Sequence, residues 1–216
     1  MKQLVIIGAG GFGREVLAWA RQSVDGWQVK GFLDDNLQAL DGFAKDVPVL
    51  GRVEDYPPAP ADVFVCAMGR VEFKRRSVER ILARGGNFAS VIHATAAIGE
   101  NVVLGRGVIL CPHAVVGSDA RLGDFVSVNL HSTVAHDAVV GRWTQLHCHV
   151  DITGGVVLGE GVTVGSHASV LPGVKVGDGA TIGAGAVVMR DVPAGATVFG
   201  VPARPYAVRE PEVVNE

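Results

Sequence analysis

The sequence is poor in the residues that staple, span or grip. Its three cysteines, Cys66, Cys111 and Cys148, are widely spaced and odd in number, so a disulfide framework is excluded and free thiols are expected. No lysine or arginine run stands out and the formal charge is −3, which argues against nucleic acid or an anionic membrane as partner. The opening apolar run, Leu4 to Ile7, is too short for a signal peptide or a membrane span. A soluble, cytoplasmic protein is the expectation. Histidine is missing from the first 92 residues, and all seven lie beyond them, so proton chemistry near neutral pH belongs to the later part of the chain. What is plentiful is apolar: 48% of 216 residues are hydrophobic, enough for two cores.

From Ile92 onward a branched residue returns every sixth position for seventeen hexads without a slip, through Ile98, Leu104 and so on to Val188. The fifth position, Ala96 to Val192, is always Ala, Val, Ser or Thr, and the second is Gly in nine of the seventeen. Such a period indicates a parallel β-helix in which each hexad is a short strand plus a turn and three hexads close a triangular coil. Branched residues fill the flat sides, small ones the corners, and the second-position glycines are expected to supply the backbone angles of the turn. A β-sandwich fits poorly, because its strands alternate with period two.

The first 90 residues read differently. Leu4 to Ile7 is a buried parallel strand, followed at once by Gly8-Ala9-Gly10-Gly11-Phe12-Gly13, with GxGxxG spacing. A helix over 14–22 with Val16, Leu17 and Ala20 inward, then a strand over 29–33 ending at Asp34-Asp35, complete a nucleotide-binding order. Glycines let the backbone approach a diphosphate, the helix N-terminus faces it, and a strand-end acid reaches ribose hydroxyls. The same glycines also fit a plain tight turn. A strand over 63–68, ending at Gly69, and a helix over 72–84 follow. Only half of a doubly wound dinucleotide fold is present, so a nucleotide diphosphate carrying something other than a second nucleoside is favoured. The expected organisation is a half-Rossmann α/β unit at 1–90, a β-helix at 91–193, and an extended segment and polar tail at 194–216.

His113, His131, His149 and His167 are eighteen residues apart and stack on one corner of successive coils, as a stacked ladder, as packing at a subunit interface, or as a metal site. His136 stands at the next corner beside Asp137, a carboxylate able to orient the ring; it is a general-base candidate or a plain surface histidine.

Taken together, Gly8 to Gly13 with Asp34-Asp35, the hexads with His136-Asp137, and Gly200-Val201-Pro202-Ala203-Arg204 after them resemble the bacterial nucleotide-sugar acetyltransferases. That family includes amino-sugar N-acetyltransferases of the bacillosamine and perosamine pathways and sialic acid O-acetyltransferases. The resemblance implies a left-handed β-helix, a homotrimer, and sites between subunits that bind acetyl-CoA. It implies that Gly10, Gly11 and Phe12 contact the nucleotide sugar, Asp34 and Asp35 its nucleoside, and Gly69 the same pocket. His136 is then the base, Asp137 its acidic neighbour, and Gly154, Ser166 and Ala184 line the CoA groove, with no metal. Phe12 replaces a histidine common in some members, and Gln145 stands where one subgroup has a CoA-side histidine.

The implied reaction is direct acetyl transfer from acetyl-CoA to an amine on a nucleotide-linked 4-amino-deoxy sugar. Rival readings are O-acetylation of sialic acid or another sugar hydroxyl, a nucleotide-sugar-binding protein without turnover, and an NAD-dependent oxidoreductase. The half-sized first unit speaks against the last and His136-Asp137 against a mere binder. Cys148 as an acyl-carrying nucleophile is a further alternative to an inert thiol.

Overall fold

A computed structural model describes residues 2–206; the polar tail expected from 206 onward lies, after Tyr206, outside the described residues. The continuous apolar run of the N-terminus forms β1 (Gln3–Ile7), and it lies in a parallel sheet with β2 (Val29–Leu33), β3 (Val49–Gly51), β4 (Asp62–Cys66) and β5 (Asn87–Phe88). Their order is β3-β2-β1-β4-β5, so the chain reverses its winding between β1 and β4. Helix α1 (Gly11–Arg21) connects β1 to β2, and α2 (Val71–Leu82) connects β4 to β5. Helix α1 begins three residues before the expected 14, because Gly10 is already its N-cap and the later glycines of the motif form its first turn. The edge strands β3 and β5 were not expected from the sequence.

Seventeen two-residue strands, from Val91–Ile92 to Val187–Val188, then wind a parallel β-helix. Three faces repeat every eighteen residues. The first carries 91–92, 109–110, 127–128, 145–146, 163–164 and 181–182; the second carries 97–98 through 187–188; the third carries 103–104 through 175–176. First-position residues such as Val116, Val134, Leu146 and Val164 are buried with the fifth-position Ala, Val, Ser and Thr. Ile98 departs from its row and is 43% exposed, since no coil lies above it to cover its side of the helix.

The turns correct one expectation. From Asn101 to Gly185 the left-handed residue of each corner is the fourth of the hexad, not the second; nine non-glycine residues sit there, among them Asn101, Phe125, Asp137 and Trp143, with φ of 55° to 69°. The second position is glycine for a different reason. A Cβ on Gly117 would lie 2.7 Å from His136 N, so the next coil's backbone leaves no room for a side chain.

The α/β unit packs on the first face and on the corner between the third and first faces. Val91, Ile109 and Cys111 join the core under α1, while Phe125 and Trp143, stacked at 4.5 Å and 11°, join the core under α2. His93 adds a polar tie, its Nε2 lying 3.0 Å from Gln22 Oε1. Among the described residues no helix is long and apolar enough to cross a membrane.

Candidate active site

Two groups of candidate site residues are set on different edges of the molecule. The first surrounds the ends of β1, β2 and β4. Gly8 adopts φ +99°, and a Cβ on Gly13 would strike Gly8 O at 1.8 Å, so these two glycines are needed by the turn itself. Gly10 and Gly11 are not: nothing lies within 4 Å of their missing side chains, and the backbone there is open to a ligand. The Asp34 carboxylate accepts the Ala9 N–H at 2.7 Å and the Asn36 N–H at 2.9 Å, bracing the glycine turn from the end of β2. Asp35 beside it is exposed. The Phe12 ring packs edge-on to Trp19 at 6.1 Å, and Gly11 and Phe12 line a hollow of 730 Å³ with Arg14, Lys45 and Leu130. Gly69 lines a separate cleft of 1270 Å³, between α2 and the lower coils of the first face.

The second group stands on the corner between the second and third faces. His136 Nδ1 lies 2.8 Å from Asp137 Oδ2, and both side chains are exposed, at 71% and 66%. With Nδ1–H donating to that carboxylate, Nε2 carries the lone pair. Gly154 is directly beneath, one coil on: a Cβ there would sit 2.7 Å from both His136 Cε1 and Nε2. The Gly154 N–H makes no hydrogen bond among the described residues. This corner therefore offers a proton acceptor and, beside it, a free backbone donor.

Ser166 and Ala184 lie elsewhere, on the corner between the first and second faces, in the column of Cys148. Within one chain the structure does not bring them to Gly154, nor His136 to Gly10 or Asp35. On the same corner His113, His131, His149 and His167 stack with ring centroids 4.9, 5.1 and 4.7 Å apart. Parallel faces do not converge nitrogens on one point, and no group of side chains fit to hold a metal is found among the described residues.

Sequence reasoning missed Lys74. Its ammonium is buried and donates to Phe125 O, Ser127 Oγ and Gln145 Oε1 at 3.1, 2.9 and 2.8 Å, pinning α2 to the first face. Burial pulls its pKa down to about 8. The signal was present, because Lys74, Val78 and Ile81 share one helical stripe, the stripe that faces inward. Gln145 is thereby spent on Lys74 and is itself buried. His147, at the floor of the Gly69 cleft, has its pKa lowered by burial and then by the charge of Lys74. The Cys66 thiol is pushed up to about 12 by burial and Cys111 well above its usual value by the same cause, so neither is a nucleophile near neutral pH.

Residues 3–81 match the PglD N-terminal domain family, and residues 155–190 match the bacterial transferase hexapeptide (six repeats) family. Among solved structures, the acetyltransferase domain of PglB from Neisseria gonorrhoeae is 31% identical, over 95% of this chain and 100% of that one, with a TM-score of 0.88. WeeI from Acinetobacter baumannii is 29% identical over 95% and 100%, with a TM-score of 0.86. PerB from Caulobacter crescentus, solved in complex with CoA and GDP-perosamine, is 28% identical over 96% and 98%, with a TM-score of 0.88. The sequence search of curated proteins found no match.

Proposed function

The chain belongs to the nucleotide-sugar acetyltransferases built on hexapeptide repeats, and from that premise we propose that it moves an acetyl group from acetyl-CoA to the amine of a nucleotide-linked 4-amino-deoxy sugar. The observation that carries the reading is His136, oriented by Asp137 and seated over Gly154, on a chain whose first 90 residues hold an open glycine turn. The relative bound to CoA and GDP-perosamine supports the same pair of substrates.

In the proposed step the amine nitrogen attacks the thioester carbonyl, His136 Nε2 takes the proton the nitrogen sheds, and the Gly154 N–H steadies the oxyanion. The C–S bond then breaks and the proton passes to the departing CoA sulfur. No acyl-enzyme is required. Gly10, Gly11, Phe12, Asp34, Asp35 and Gly69 are assigned to the nucleotide sugar, and Gly154, Ser166 and Ala184 to CoA. Since His136 and the glycine turn lie on different edges of one chain, the site is assigned to the junction of two chains in a homotrimer. The β-helix at 91–193 holds the donor and the unit at 1–90 the acceptor, in the cytoplasm, where acetyl-CoA is made and used.

The test is to incubate purified protein with acetyl-CoA and UDP-, GDP- or dTDP-linked 4-amino sugars, or free sialic acid, and to read products by mass spectrometry. An acetylated amino sugar is expected, with His136→Ala lowering kcat by roughly 10²- to 10⁴-fold and leaving both KM values nearly unchanged. Acetylation of sialic acid alone, or near wild-type kcat in a soluble His136→Ala protein, overturns it.

A further inference from the structure

The acetyl transfer makes no use of the four imidazoles stacked on the corner between the first and second faces, yet two observations bring a second copy of this chain against that corner. Gly154 stands on the corner between the second and third faces, whereas Ser166 and Ala184 stand on the ladder's corner. One CoA reaches all three only where these two corners meet across copies. The acceptor side points to the same junction. The hollow at the glycine turn is walled by Gly11 and Phe12 and also by Leu130, the residue before His131, so the histidine that serves this acceptor must be carried to the ladder's corner. His136 of the same chain stands on the other corner, so a copy has to supply it.

The heights agree as well. A coil of eighteen residues advances one strand spacing, about 4.8 Å, so positions six apart in number differ by about 1.6 Å along the axis. Equal numbers are level in a symmetric trimer whose axis runs along the solenoids. His131 then lies level with the partner's Asp137 and His113 with the partner's Asp119, whereas His149 and His167 lie across from the partner's Gly155 and Gly173, which have no side chain to offer. On the acetyltransferase reading, which sets each site between copies, we propose that the ladder is the strip on which a second copy docks, and that His131 is a positioning residue that holds the partner's Asp137 and, through it, the partner's His136.

The two corners are complementary in what they donate and accept. Stacking at 4.9, 5.1 and 4.7 Å covers the ring faces of the ladder and leaves the nitrogens at the ring edges, and all four side chains are exposed. Among the described residues the histidine ring nitrogens that make hydrogen bonds belong to His93 and His136, and those of the ladder are unused. The ladder's corner carries no carboxylate, whereas Glu100, Asp119 and Asp137 follow one another on three successive coils of the other. Asp137 gives Oδ2 to His136 Nδ1, and its Oδ1 accepts no hydrogen bond among the described residues. A carboxylate 66% exposed is free to turn away from the base it orients, and a donor on its second oxygen fixes both. Asp119 is already held, its Oδ1 accepting from Asn101 Nδ2 at 3.2 Å, so the rung level with Asp137 is the one that matters for the chemistry.

The experiment has a kinetic arm and a geometric arm. His131→Gly suits the left-handed backbone at this corner, where φ is 55°, and removes the ring. It is expected to lower kcat about tenfold with both KM values nearly unchanged, while His131→Gln, which keeps a donor, regains most of the loss and His113→Gly stays within twofold of wild type. Co-refolding equal amounts of His131→Gly and His136→Ala chains is expected to give roughly a quarter of wild-type kcat, since about one interface in four joins an intact His136 to the partner's intact His131. If His131 acted within its own chain, every chain would carry a defect and only about a twentieth would appear. In the geometric arm, a Cys148→Ser chain carrying His131→Cys and Asp137→Cys is treated with a short bismaleimide and run on a denaturing gel. A covalent trimer is expected, and either substitution alone, with one reactive thiol per chain, gives at most a dimer. A sedimenting trimer that is not trapped overturns the docking strip, as does a monomer. Unchanged kcat in His131→Gly, or a raised KM for the nucleotide sugar at unchanged kcat, overturns the positioning role and leaves the acetyltransferase reading standing. A trapped trimer that acetylates nothing sinks that reading and the positioning role with it, and leaves the docking strip.

Discussion

At the scale of single residues, the proposed base, His136, depends on a neighbour with no side chain. His136 keeps its ring over Gly154 because nothing projects from that position, and a Cβ there would meet Cε1 and Nε2 at 2.7 Å. The clash is with the free end of a rotatable side chain, so Gly154→Ala is expected to leave the fold intact and turn the ring away. A lowering of kcat by about tenfold or more, with Tm within about 1 °C of wild type, is the expected outcome, since displacements near 1 Å cost up to about 10² in rate. Steady-state kinetics and a melting curve check it, and unchanged kcat refutes it. The His136-Asp137 pair was legible in the sequence because the two are adjacent. Gly154's place under the ring was legible because it follows by one eighteen-residue period. Gln145 was not, because its fate is decided by Lys74, seventy-one positions earlier in the chain.

At the scale of elements, α2 carries a buried cation whose donors all reach neutral acceptors, and this couples stability to pH. The pKa of Lys74 is about 8 in the fold against an ordinary 10.5, so the charged form is the one folding disfavours. Its contribution is complete above pH 10.5 and is lost as pH falls through 10.5 to 8, because unfolding then takes up a proton. Cys66, raised to about 12, acts in the opposite sense above pH 9, and the comparison with Lys74→Met cancels most of it. Between pH 7 and 9, wild type is expected to gain on the order of 1 kcal/mol relative to Lys74→Met in urea unfolding. Parallel pH curves refute it. The elements themselves were readable where periodicity is strong: every hexad strand, β2 and the core of β1 came from pattern alone. The strands β3 and β5 did not, being two or three residues long at sheet edges. The left-handed corner position was masked because nine non-glycine residues, among them histidine, aspartate, phenylalanine and tryptophan, share it with only six glycines, Gly107, Gly155, Gly161, Gly173, Gly179 and Gly185.

At the scale of the whole molecule, His136 on one edge and the glycine turn on another make each chain of the proposed trimer half of two proposed sites, paired by closed three-fold symmetry. Co-refolding equal amounts of His136→Ala and Asp35→Ala chains is expected to restore roughly a quarter of wild-type kcat/KM at low nucleotide sugar, because random assembly gives about one interface in four with both halves intact. Sedimentation should show the trimer, and no recovery on mixing places the site within one chain. The same geometry makes the solenoid a graduated rod. Each coil advances one strand spacing, so Pro172, two coils beyond His136 on its corner, stands about 10 Å further along the axis. A lineage that gained or lost eighteen residues here would keep every inward row in register and alter only reach, so the length of donor the protein accepts can drift in whole steps while its chemistry stays fixed.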